Sequence, residues 1–437
     1  MKRLWLCLIS VLLLVSCSDE IPESPTPQVE GRTLLAYIIS NNTPTNPRAD
    51  LDKYLKANVV DMYKGLSASH DSIALLVYYR PKYDDSSLET PSILKYVADG
   101  KGNINGRKAI PASQLEINNS ADILALASRV IDEAEIHPCQ DKNQNATDPI
   151  VMTAVLQDMI KLVPSRSYGL TMGSHGTGWL PGNPIKGRSF GDDGGFNINI
   201  PELAKVLSTA FTGQKLDYVL FDACMMANAE VAYELRETTS HIIASVLETA
   251  VDGFPYSRIM PILYSNSVNY QQICDEFIAF NIENAKDITN IGHNGREITP
   301  WGTCAVFDCS KMDALADWVK KNLAANKDKL TPDFYKQVRQ YGSWSFRNYS
   351  FDVVDVFTQL KGEVPADLLS LMNSVIIAKS CIESDGTEFP NVVIDKQHFS
   401  GMGMYLPFNI GRTDWDTYYT NSLAWSKAVG WNEYRPQ

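Results

Sequence analysis

The chain has 437 residues, 44% hydrophobic and 21% charged, with 39 Lys and Arg against 51 Asp and Glu for a formal charge of −12. These fractions exclude a disordered tail, a collagen-like repeat and a disulfide-dense miniature, and the length suits one large domain or two to three of roughly 150 residues. The acidic balance disfavours nucleic acid, whose phosphates need clustered Lys and Arg, and favours basic peptides.

Lys2 and Arg3 precede an apolar run from Leu4 to Val15 that ends Leu14-Val15-Ser16-Cys17. A membrane span needs about 20 apolar residues, so this run reads as a signal peptide rather than an anchor helix. Small residues before Cys17 resemble a bacterial lipoprotein signal, in which that cysteine is lipidated and becomes the N-terminus. Loss of Lys2 and Arg3 then leaves 37 basic residues against 51 acidic ones, a mature charge of −14. Ser18 to Gly31 holds three prolines and four acids without periodicity and reads as a semi-extended tether. Its acidic start resembles surface-export signals of Bacteroidetes lipoproteins. The expected location is therefore the outer membrane, with the periplasmic or outer face left open.

Beyond the tether, Arg32 to Ser40, Ser72 to Tyr79, Tyr168 to Met172, Leu216 to Phe221, His241 to Leu247 and Thr303 to Asp308 read as strands. Helical periodicity covers Leu51 to Gly65, Ala121 to Ala134, Val151 to Leu162, Pro201 to Phe211 and Asn228 to Glu237. Continuous rather than alternating apolar strands between helices imply an α/β fold, a parallel sheet covered on both faces. After about residue 310 the pattern turns mainly helical (Ala314 to Leu323, Asp333 to Gln340, Ala366 to Ala378), apart from a late strand from Gly403 to Phe408. The expected division is 1–17 signal, 18–31 tether, 32–309 α/β domain and 310–437 a mainly helical region packed on it.

In such sheets chemistry sits just beyond the carboxyl ends of strands. The strand ending at Met172 runs into Gly173-Ser174-His175-Gly176, and the strand ending at Phe221 runs into Asp222-Ala223-Cys224-Met225 before a helix. A cysteine and a histidine so placed suggest a nucleophile–base pair. At a helix N-terminus Cys224 would favour thiolate, and the N–H groups of Gly176 and Cys224 could form an oxyanion hole. Of the other cysteines, 139, 274, 304, 309 and 381 include no CxxC pair. Cys304 and Cys309 lack a histidine at zinc spacing, and no metal site is expected. His137-Pro138-Cys139 reads as a loop, and no carboxylate partner is inferred for His398. Trp179 reads as a wall of the substrate cleft or as packing.

The Gly-Ser-His-Gly turn, the Phe-Asp-Ala-Cys-Met turn 49 residues later and the strand before each resemble the clostripain family of cysteine peptidases, kin of caspases, legumains and gingipains. The resemblance implies a caspase-like α/β/α sandwich with a mostly parallel central sheet. It implies an endopeptidase acting through an acyl-enzyme on Cys224, with His175 as base and then acid. Family members cut after Arg or Lys, which needs a buried carboxylate. Asp222 matches the family motif, against an alternative as a helix N-cap, and Asp252 could be a second carboxylate or an ordinary turn acid. Relatives mature by cleavage between the two motifs. Here Pro181 to Gly195 reads as an exposed glycine-rich loop with Lys186 and Arg188 as self-cleavage candidates. The chemistry requires no cofactor. Calcium enters only through the resemblance, since Asp192-Asp193 lacks the spacing of a calcium loop. The rival expectation is a catalytically silent surface lipoprotein of the same fold that binds peptides or proteins.

Overall fold

Six continuous apolar runs become the interior of one sheet. The computed structural model describes residues 31–41, 50–82, 88, 90–117, 120–182, 187–287, 295–342, 349–386, 392–407 and 411–434. The signal, Cys17, the tether up to Glu30 and Lys186 lie outside them. The first strands are β1 (Thr33–Ile39), β2 (Ser72–Arg80), β3 (Ser92–Asp99), the short β4 (Asn103–Ile104) and β5 (Arg107–Lys108), and β6 (Glu135–Pro138). There follow β7 (Tyr168–Gly173), the hairpin β8 (Phe190–Asp193) and β9 (Phe196–Ile198), β10 (Leu216–Asp222), β11 (Thr239–Ala244), β12 (Thr303–Asp308), β13 (Phe351–Asp352) and β14 (Ile376–Cys381).

The central order is β14-β12-β11-β10-β7-β1-β2-β3-β4-β5, with β6 on β3. The five strands from β11 to β2 are parallel. Antiparallel strands finish both sides, β12 and β14 on one and β3 and β6 on the other. Alternation along β1 explains why its run is apolar throughout. Leu35, Tyr37 and Ile39 enter the core on one face, and Leu34, Ala36 and Ile38 enter the core on the other.

Helices α1 (Asp52–Ser67) and α2 (Ser120–Ile131) cover the second face, together with α6 (Tyr256–Tyr264) and α7 (Tyr270–Lys286). The first face carries α3 (Pro149–Leu162), α4 (Ile200–Ala210), α5 (Ala229–Leu235) and α8 (Met312–Ala325). Asp148 starts α3 by accepting the N–H groups of Ile150 and Val151, with Pro149 at the first position.

The C-terminal region is more than a helical buttress. Its helices are α9 (Val353–Lys361), α10 (Ala366–Val375), α11 (Thr413–Ser422) and α12 (Ala424–Val429). The expected helix from Ala366 to Ala378 stops at Val375, and the chain continues as β14, pairing with β12 to extend the main sheet. The expected strand from Gly403 to Phe408 shrinks to Gly403–Met404, which pairs with β13 away from that sheet. Asp333 to Gln340 yields only a short 3-10 turn at Phe334–Gln337. His137 lies in edge strand β6 rather than a loop, opposite Ile93. For β14 and β6, pairing with a distant strand overrode the local pattern.

Candidate active site

Strands β7 and β10 are parallel neighbours, with Gly173 opposite Asp222 and the Ser174 N–H 3.4 Å from the Asp222 carbonyl. His175 and Cys224 each stand two residues past that pair, so they leave adjacent strands about 5 Å apart at the same height. The turn after β10 is tight. Met225 takes a left-handed φ of 58°, rare for a side-chain-bearing residue. The segment after β11 runs alongside and fixes this turn, through Met225 N–H to Leu247 O and Ala227 N–H to Ser245 O, both 2.9 Å. The Thr249 hydroxyl adds a bond to the Ala223 carbonyl at 3.1 Å.

Helix α5 does not begin at the cysteine. It starts at Ala229, with Asn228 as its cap accepting the Val231 N–H at 3.1 Å. The expected helix-terminal stabilisation of a Cys224 thiolate therefore fails. Burial first, and the carboxylate of Glu248 second, push the thiol up to about 12. The Cys224 Sγ lies 3.9 Å from the Thr249 carbonyl.

Gly176 packs against the nucleophile turn so closely that a Cβ there would lie 3.0 Å from the Cys224 carbonyl and 3.1 Å from Ala223 Cβ. The histidine loop is pinned on its other side by the segment entering β8. The Gly191 N–H bonds the His175 carbonyl at 2.8 Å, Thr177 N–H bonds Ser189 O at 3.0 Å, and Arg188 N–H bonds Thr177 Oγ1 at 2.7 Å. Ser189, Phe190, Asp192 and Asp193 are buried, so the interval expected to be exposed is buried from Ser189 to Asp193, mostly as strand β8, while Gly194 and Gly195 are exposed. Arg188 itself is partly exposed and pairs with Asp192 at 3.4 Å.

Trp179 is no cleft wall. It is fully buried, stacked on Tyr349 at 5.5 Å and ringed by Tyr405, Tyr419 and Trp415 at 4.6, 5.1 and 6.0 Å. Tyr349 also donates to the Thr177 carbonyl at 2.5 Å. Buried Glu230 on α5 accepts from Tyr419 Oη at 2.5 Å and Tyr405 N–H at 2.8 Å, and burial raises its carboxyl to about 7. The C-terminal region thus clamps the histidine loop from behind.

Asp222 ends β10 and caps no helix. Its Oδ2 accepts from Tyr256 Oη at 2.8 Å, Asn58 Nδ2 at 3.2 Å and Phe254 N–H at 3.5 Å, and burial raises the carboxyl to about 6. Gly253 is required above it, because a Cβ there would sit 2.5 Å from Asp222 Oδ2. Asp252 lies close enough for its charge to raise Asp222 further. It borders a cavity of about 400 Å³ with Tyr54, Asn58, Asp61 and Phe254. The two acids lie within electrostatic reach of one another. Asn58 and Tyr256, which hold Asp222, went unnoticed in the sequence, since a lone Asn on an amphipathic helix carries no local signal.

Asp193 serves architecture. Its carboxylate takes Arg80 Nε at 3.0 Å, Ala146 N–H at 2.7 Å and Asn41 Nδ2 at 2.5 Å. Those donors leave the Asp192-Asp193 pair unlike a calcium site, and among the described residues no group of three or more His, Cys, Asp and Glu is arranged to hold a metal. His398 does pair with a carboxylate, Asp395, at 2.5 Å on the surface. No helix among the described residues is long and apolar enough to cross a membrane.

The clostripain family pattern matches residues 37–434. No protein with a curated description matches the chain. A secreted C11 cysteine protease from Bacteroides thetaiotaomicron, solved with an irreversible peptide inhibitor, is similar at a TM-score of 0.67 and 20% identity, over 92% of this chain and 99% of that one. A second structure of a secreted C11 protease from that organism, called iotapain, gives 0.67 and 21% over 93% and 100%. An inactive zymogen C11 protease from Parabacteroides distasonis gives 0.65 and 20% over 92% and 99%. With a family match over nearly its whole length and the caspase-like sandwich around it, the chain belongs to the clostripain family of cysteine endopeptidases.

Proposed function

We propose that this peptidase cleaves after Arg or Lys, using Cys224 as nucleophile and His175 as general base. One observation carries the specificity. Buried Asp222, two residues before the nucleophile, lies within electrostatic reach of Asp252, which borders a cavity, and a guanidinium or ammonium there would offset the burial and the Asp252 charge that raise Asp222. In the reaction the Cys224 thiol gives its proton to His175 as sulfur bonds the peptide carbonyl carbon. The developing oxyanion lies toward the Gly176 and Cys224 N–H groups. His175 then protonates the departing amine, and water, deprotonated by the same imidazole, releases the acid from the thioester.

The raised thiol of Cys224 fits a precursor state. Self-cleavage at Lys186 or Arg188 would free the segment that ties the histidine loop to β8, consistent with a zymogen among the structural relatives. Cleavage at Arg188 must first break the bonds of Arg188 N–H and Ser189 N–H. We propose further that the protein is an exported lipoprotein anchored through Cys17 in the outer membrane, in keeping with secreted relatives. No cofactor is needed for the thiol chemistry, and a calcium effect is read by adding a chelator.

The test uses protein starting after the tether, wild type and Cys224→Ala, with fluorogenic peptides ending in Arg, Lys, Asp or Asn while intact mass is followed. Turnover of Arg or Lys peptides by wild type alone supports the proposal, and a new end after Lys186 or Arg188 supports self-activation. Turnover after Asp or Asn instead overturns the specificity. Silence toward all four, also after limited tryptic nicking and added calcium, favours the peptide-binding alternative.

A further inference from the structure

Beside Asp252 a second, smaller cavity of about 90 Å³ opens between three separate elements. Ala250, Val251 and Asp252 come from the segment that also fixes the nucleophile turn. Asn281, Asn284 and Ala285 come from one face of α7, at the spacing that places residues together on a helix. Ile298, Pro300 and Trp301 come from the approach to β12. Asp252 and Asn284 border both cavities, so the small one continues from the space beside the two acids.

Asn281 stands out within it. It is 5% exposed, yet neither its Oδ1 nor its Nδ2 finds a hydrogen-bond partner among the described residues. Gly302 leaves the room for it, since a Cβ there would lie 2.5 Å from Asn281 Nδ2. Leaving both ends of a buried carboxamide unbonded is costly, and a buried polar group without a protein partner points to a ligand or water. The cavity is several times the roughly 10–15 Å³ that one water requires. Its remaining lining is apolar except for Asn284, Asp252 and the indole N–H of Trp301, and among the described residues no Lys or Arg lines it.

We propose that this cavity is a second specificity subsite, which takes a short substrate side chain bearing a hydroxyl or carboxamide, with Asn281 as the residue that reads it. The proposal rests on the peptidase reading above. A carboxamide offers an acceptor oxygen and a donor NH2 group, so it matches Ser, Thr, Asn or Gln, whose side chains also both donate and accept. Trp301, Ile298 and Pro300 surround the carbon atoms of the occupant, and Asp252 disfavours an acidic one. Subsites built to hydrogen-bond a polar group reject the isosteric apolar analogue, because the site's own polar atoms are then left unpaired.

The experiment measures kcat/KM on peptides with Lys or Arg fixed before the cleaved bond and each of the three preceding positions varied as Thr/Val and Gln/Met pairs. Wild type, Asn281→Leu and the cavity-filling Ala285→Leu are compared, with melting temperatures. We expect wild type to prefer the polar member roughly tenfold at one position and at no other. Asn281→Leu should bring that ratio to one or below, mainly through KM, without a lower melting temperature. Ala285→Leu should erase the ratio by occlusion. Equal turnover of both members at every position by wild type would overturn the subsite and leave a water-filled cavity. An unchanged ratio in Asn281→Leu would remove Asn281 as its reader. A wild type that turns over none of the Lys or Arg peptides would refute the Arg/Lys specificity on which the subsite rests, a different failure from indifference at the three varied positions.

Discussion

Trp179 offers the most direct test of how the C-terminal region supports the active site. Its indole is fully buried against four aromatic rings, and its Nε1–H has no acceptor among the described residues. Trp179→Ala should cost about 4 kcal/mol, within the range for large aromatic truncations in a sealed core. Trp179→Phe should cost only about 1–2 kcal/mol, because it keeps most of the ring contacts and removes a buried donor whose lack of a partner itself costs about 1–3 kcal/mol. Urea unfolding at 25 °C, with the slope held common, measures both variants. Activity should fall with stability in the Ala variant, since Tyr349 loses its stacking partner and Thr177, two residues from His175, is bonded to Tyr349. A cost below about 1 kcal/mol for Trp179→Ala, together with a raised KM, would refute the packing argument and return Trp179 to the cleft wall.

Asp222→Asn should abolish turnover of Arg and Lys peptides yet stabilise the protein near neutral pH. A carboxyl raised from 3.8 to about 6 in the folded state costs nothing well below 3.8, where both states hold the proton. Stability is lost as pH rises from there through 6, so the variant should gain up to about 3 kcal/mol at pH 7.5 and nothing at about pH 2.5. Equal unfolding midpoints for the two proteins at both pH values would contradict this. Glu248→Gln removes a negative charge that helps raise the Cys224 thiol. Its alkylation by iodoacetamide at pH 8 should be several-fold faster than wild type, and an unchanged rate would assign the raised thiol to burial alone.

Much of this was present in the sequence itself. The unbroken apolar character of Thr33–Ile39 and Leu216–Asp222 marked strands buried on both faces, because each successive side chain enters a different core. The two short motifs each follow such a strand directly, and because these strands are parallel neighbours, the His175 and Cys224 loops leave the same edge of the sheet. Asp222 was singled out through the family motif it matches, and Asp252 through its place after the strand that follows the nucleophile's helix.

What the sequence left undetermined depended on segments far apart in the chain. Ile376–Cys381 forms a strand because an open edge of β12 awaits it, while its local composition continues a helix. Ser189 to Asp193 looks like a polar glycine-rich loop but is buried, because its amides and carboxylates pair with the histidine loop and with Arg80. The charge state of Cys224 was misjudged for a related reason. A helix follows it in sequence, but the turn between them separates the thiol from the helix terminus, and Glu248 arrives from the segment after β11. Sequence determines what each strand buries and where it ends. Packing across the sheet determines desolvation, pairing and charge, because those depend on partners outside the local segment, from Tyr256 34 residues from Asp222 to Arg80 113 residues from Asp193.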